Sequence, residues 1–139
     1  MNGREMVDRV KAITAAGIPV SGHLGLTPQS VSALGGFRLQ GKGADAAKRI
    51  VEDAKILEEA GAFCVLLELV PDRVCKIITE RSDNALIMGL GSGPDAHGQL
   101  LIYHDMFGLY PKFTPKMAKV FGNAGEVILN GLKSYNKEV

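Results

Sequence analysis

The sequence predicts an α/β fold of about four parallel strands alternating with helices, and three observations carry that expectation. The first is the stretch at residues 62–70, AFCVLLELV, in which eight of nine residues are apolar and the ninth is Glu68. A run of that length, bounded by Gly61 and Pro71, reads as a strand buried on both faces, as in a parallel sheet. The second is the helical spacing of apolar residues on either side of it. The third is the recurrence of short apolar runs that empty into glycine-rich segments, the pattern of strands followed by ligand loops.

The elements follow in order. Residues 3–16 carry Met6, Val7, Val10 and Ile13 on one helical face, with Gly17 as the stop. A short strand is expected to begin at Ile18-Pro19-Val20, where a proline near the start is tolerated. SGHLGLTPQSVSALGGFRLQGKG then reads as a long loop, ordered by Leu24, Leu26, Val31, Leu34 and Phe37 and holding a helical turn. Residues 44–60 form the most regular helix, with Ile50, Val51, Ala54 and Leu57 inward and Lys48, Arg49, Glu52, Lys55 and Glu59 outward. Asp45 suits its first turn and Gly61 its end. After the central strand, Pro71 opens a helix to about Arg81, with Val74, Ile77 and Ile78 inward. ALIMG at 85–89 is the next strand, LGSGPDAHGQ its loop, and LLIY at 100–103 a fourth apolar run. A last helix is expected over 115–135, loosened by Gly122, Gly125 and Gly131.

Composition narrows the function. With 139 residues, the chain reads as one domain with a real core. Sixteen basic and fifteen acidic residues leave a net charge of +1, which gives no basic field for nucleic acid. No apolar run approaches the roughly 20 residues of a membrane span, and MNGREMVDRV has no secretory core, so the expected location is cytoplasmic. Cys64 and Cys75 lack metal-ligand spacing and read as buried free thiols.

Four strands are half of what a closed parallel barrel needs, and an open parallel sheet of four would expose its edges. Glu68, near the C-terminal end of an apolar strand, is costly to bury unless paired or used. Two readings stand beside each other: a strand-end carboxylate bonded to solvent or backbone, and an acid or base at the mouth of a parallel sheet, where ligands bind. His23 follows a predicted strand towards the same mouth, and alone would more often be structural. Gly89, Gly91 and Gly93 in GLGSG would admit a ligand close to backbone N–H groups, or simply make a turn.

The blocks GIPVSGHLGLTPQSV, GGFRLQGKG, LLELVP, GLGSGPDAHGQLLIYHDMFGL and PKF resemble the ketopantoate hydroxymethyltransferase (3-methyl-2-oxobutanoate hydroxymethyltransferase) family, in order and over the whole chain. The resemblance implies a (β/α)8 barrel of the phosphoenolpyruvate mutase and isocitrate lyase type, of which residues 1–139 would be a single partial domain, the C-terminal half. It implies transfer of a hydroxymethyl group from 5,10-methylenetetrahydrofolate to 3-methyl-2-oxobutanoate, with magnesium and a homo-oligomeric assembly. Glu68 matches the family's base and His23 a histidine that contacts the keto acid. The family's two magnesium-holding aspartates, and a lysine and a glutamate preceding this segment, have no counterpart here, so no metal ligand is assigned. The chain is accordingly expected as a truncated or split form (a fragment, a late-start product or one half of a split enzyme), inactive alone. Its partners would be the remaining half or a second copy.

Ser92 stands where many family members have alanine, so the resemblance gives it no required role. It assigns none to His97 either. His104 and Asp105 suggest a metal or acid/base pair, but neighbours on a strand face opposite ways, which favours a structural role. Lys42 reads equally as a contact for an anionic folate tail and as a solvated loop lysine. Two other functions compete: a non-catalytic assembly or small-anion-binding half-barrel, and a relative acting on another 2-oxo acid, against which the GHLGLTPQ block argues.

Overall fold

The computed structural model describes residues 3–139, which divide into two compact units, one up to residue 100 and the other 101–139. The first is α/β. Its helices are α1 (Val7–Ala15), α2 (Ala44–Glu59) and α3 (Asp72–Arg81), and its strands are β1 (Ser21–Gly25), β2 (Cys64–Glu68), β3 (Leu86–Leu90) and β4 (Gly98–Gln99). Among the described residues the strands form one sheet in the order β1-β2-β3-β4, every pair parallel. The first three strands, joined by the helical crossovers α2 and α3, have the arrangement of a run of barrel strands, while β3 passes to β4 through a loop without a helix.

Strand alternation decides what each face buries. Gly22 and Leu24, Val65 and Leu67, and Ile87 share the face that meets the helices, where Val10, Ala54, Leu57, Val74, Cys75 and Ile78 close the core. Leu67, Val65 and Ile87 are almost wholly excluded from solvent. Each such side chain contributes roughly 1.5–3 kcal/mol relative to exposure. The opposite face carries Ser21, His23 and Gly25, then Cys64, Leu66 and Glu68, then Leu86, Met88 and Leu90. It is less covered: Leu86 is 56% exposed, while His23, Leu66 and Met88 are half-buried. Both cysteines are buried free thiols, and burial pushes the Cys75 thiol up.

Several expectations need correction. The first strand lies at Ser21–Gly25 rather than 18–20, so His23 is in a strand and not in a loop after one. Gly22 and Gly25 give the segment a loop-like composition, but Gly22 lies where α2 packs closely, its site meeting Leu57. LLIY is not a strand. The ladder to β3 is made by Gly98 and Gln99, and Leu100 and Ile102 stay largely exposed, so the run never acquires the burial that its apolarity suggested. Pro71 caps α3 instead of opening it, and Cys75 rather than Ile77 completes the buried side of that helix.

The second unit holds a single turn, α4 (Tyr103–Met106), and α5 (Ala124–Glu138). His104 and Asp105 therefore sit on a helical turn, not a strand. The last helix starts nine residues later than expected. Gly122 ends the preceding loop and Asn123 stands at the N-cap position without a side-chain bond to the helix N–H groups, its side-chain amide donating instead to the Glu126 carboxylate at 2.5 Å. No residue of α5 is buried.

Candidate functional site

The C-terminal strand ends of the first unit lie in one row, because the register pairs Gly25 with Glu68 and Glu68 with Leu90. Gly91, at φ +63°, follows directly. Two residues back, His23 is level with Leu66, so His23 and Glu68 are diagonal neighbours on one face of adjacent strands, within reach of long side chains. Glycine at position 25 puts no side chain beside the carboxylate. The result is a direct contact: His23 Nε2 lies 3.0 Å from Glu68 Oε2, with Glu68 8% exposed. With Glu68 ionised, the carboxylate can only accept, so Nε2 carries the proton of that bond.

The backbone around Glu68 is held from three sides. Leu26 N–H donates to the Glu68 carbonyl at 2.8 Å, from the end of β1. Leu69 has φ +48°, and among the described residues no other non-glycine lies in that left-handed region. Its N–H donates to Leu90 O at 2.9 Å, and its carbonyl accepts from Gln40 N–H at 2.8 Å. Ser92, 1% exposed, donates to Leu67 O at 2.7 Å and accepts from Val70 N–H at 3.1 Å. No signal in the sequence separated this serine from the rest of GLGSG.

The other candidates lie elsewhere. His97 Nδ1 accepts the Ile87 N–H at 3.0 Å, substituting for a backbone carbonyl at the start of β4, which accounts for it structurally. Lys42 is exposed in the loop before α2. His104 and Asp105 belong to the second unit, where the His104 and Tyr103 rings meet edge-on. A cleft of about 340 Å³ between β1 and α1 is lined in part by Arg9, Val10, Ile13, His23, Gln29 and Leu57, and Glu68 does not line it. A second of about 490 Å³, between α2 and α3, is walled by Val51, Ile56, Ile78 and Ile87 and has neither His23 nor Glu68. Among the described residues no group of three or more His, Cys, Asp or Glu could hold a metal ion, and no helix is long and apolar enough to cross a membrane.

A family model described as ketopantoate hydroxymethyltransferase matches residues 1–139. Proteins named 3-methyl-2-oxobutanoate hydroxymethyltransferase are similar along nearly the whole chain. The one from Clostridium botulinum strain Langeland is 50% identical over 137 residues, covering 99% of this chain and 50% of its own length. That from Clostridium kluyveri is 53% identical over 137 residues, with 99% and 49% covered, and that from Syntrophus aciditrophicus 52% over 138, with 99% and 50%. The chain spans about half the length of the curated relatives it matches. A family-model match along all 139 residues, with about half of the aligned residues identical in each relative, makes this chain a member of the ketopantoate hydroxymethyltransferase family.

Proposed function

We propose that this chain supplies the base-carrying segment of a hydroxymethyltransferase that converts 3-methyl-2-oxobutanoate to ketopantoate with 5,10-methylenetetrahydrofolate as the one-carbon donor. The observation that carries the reading is the contact between His23 and Glu68 at the C-terminal ends of parallel strands, in a chain of this family. The reaction needs a group that removes a proton from the carbon beside the keto group, so that this carbon can form its bond to the one-carbon unit. Glu68 takes that proton on a carboxylate oxygen. His23 holds the carboxylate through Nε2 and turns its other edge towards the keto acid.

The described residues do not fit magnesium, and we assign its ligands to the part of the family chain outside these 139 residues. The working partner is then that remaining portion, in an assembly of several copies. A second reading is a half-barrel that binds a small anion without turnover.

The test measures ketopantoate formation with magnesium and methylenetetrahydrofolate, using this chain alone and then with the N-terminal portion of a relative in trans. Turnover is expected only with the added portion, and Glu68→Gln should lower it about 10²–10⁴-fold while leaving the fold intact. A Glu68→Gln variant within a few-fold of the parent removes Glu68 as the base. Binding of the keto acid without turnover in the combined system favours the second reading. Turnover by the chain alone would require a metal site within it.

A further inference from the structure

The turn after β2 is closed by a hydroxyl from a different loop. Glu68 ends β2 and the chain bends at Leu69, which brings the carbonyl of Leu67 and the N–H of Val70 within reach of one side chain. Ser92 Oγ bridges them, donating to Leu67 O at 2.7 Å and accepting from Val70 N–H at 3.1 Å. All three residues are essentially excluded from solvent, so Val70 N–H has no water to turn to if the hydroxyl is removed. Inside the turn Leu69 holds φ +48°, a conformation disfavoured for leucine that persists only where its surroundings enforce it. The peptide groups on both sides of Glu68 are thereby fixed, and the reach of its side chain to His23 starts from them.

We propose that Ser92 is a positioning residue: its buried hydroxyl closes the turn that carries Glu68 and so keeps the carboxylate on His23. Its catalytic meaning rests on Glu68 being the base, whereas its geometry does not. The alternative is a hydroxyl that stabilises the turn with no effect on where the carboxylate points.

The experiment is NMR on the full chain, labelled at histidine ring nitrogens and glutamate carboxyl carbons, with amide hydrogen exchange. In the parent, Val70 N–H is expected to be protected. In Ser92→Ala it exchanges faster by about tenfold or more, while Leu57 and Ile78 in α2 and α3 keep their protection. The Glu68 carboxyl and His23 Nε2 resonances both move in Ser92→Ala and return to the parental positions in Ser92→Thr, which keeps the hydroxyl. Fast exchange at Val70 with unmoved Glu68 and His23 resonances overturns the proposal, as does an unprotected Val70 amide in the parent. Should Ser92→Ala not fold, Ser92→Cys decides, since it keeps the shape but has only a weak hydrogen-bonding group: displaced Glu68 and His23 resonances in the folded Ser92→Cys chain support the proposal, and parental ones overturn it. These resonances report the placement of the carboxylate whether or not it serves as a base. Failure of the base role itself would instead appear as retained turnover in Glu68→Gln.

Discussion

A methyl group added at Gly25 would lie 2.2 Å from the Glu68 carbonyl oxygen and 2.6 Å from Val70 Cγ2, on a backbone at φ +87°. The carbonyl cannot retreat, because it accepts the Leu26 N–H that ties β1 to the end of β2. Gly17 has a similar φ of +78° but open space around it. The pair therefore separates conformational from steric cost. Gly17→Ala is expected to lose only the left-handed preference, about 1 kcal/mol, whereas Gly25→Ala adds a backbone clash and should lose roughly twice that or more. Urea unfolding midpoints of the two variants check this, and equal losses would mean that the close approach at Glu68 relaxes cheaply. The glycines of GHLG and GLGSG were legible as loop-like, ligand-admitting residues. Their reason at position 25 is different: one strand's backbone passes against the carbonyl of the residue that the site depends on.

Element by element, the sequence was most readable where one face is buried along a regular period. α2 has its predicted outward residues exposed and Ala54 and Leu57 in the core, and β2 lies within the predicted apolar run. β1 was misread because Ser21 and His23 alternate with Gly22 and Leu24, leaving Leu24 as the only large apolar side chain pointing inward. Glu58 was missed for another reason, since a buried carboxylate on a helix has no periodic signal. It is 8% exposed, and one of its oxygens accepts the N–H groups of Asp83, Asn84 and Ala85 at 2.9, 2.6 and 3.1 Å, capping the turn between α3 and β3. Burial pushes its pKa up, but the three N–H bonds and Lys55 outweigh that and hold it below the ordinary value of 4.5. A folded-state pKa below the unfolded one gives stability that is present above about pH 4.5 and is lost as pH falls through the lower folded value. Denaturation at pH 7 and at stepwise lower pH should show the parent weakening as it acidifies. Glu58→Gln should start less stable at pH 7 and lose less on acidification. An identical pH dependence in the two chains would remove Glu58 as a contributor.

At the scale of the whole molecule, each unit leaves apolar surface without cover. In the first, a parallel sheet ordinarily has both faces buried, yet the helices cover one face, and Leu86 at 56%, Phe63 at 51% and Ile18 at 56% exposure remain open. β1 is an edge of that sheet, presenting backbone groups on its outer side that can pair with another strand. In the second, α5 exposes Val127 at 72%, Leu132 at 61% and Tyr135 at 69%. Exposed apolar surface of this kind marks an interaction face or an aggregation hazard. The resulting expectation is that the 139-residue chain self-associates: sedimentation velocity should show species larger than a monomer, growing with concentration. Because the contact would be apolar, raising the salt concentration should not dissolve it, in contrast to an association through surface charges, which salt screens over about 10 Å at 0.1 M. Adding the N-terminal portion of a relative in trans should compete with self-association if the open sheet face and the edge of β1 are the surfaces involved, and should leave it unchanged if α5 drives it. A monodisperse monomer that unfolds in one cooperative transition would show instead that both units bury enough surface to stand alone.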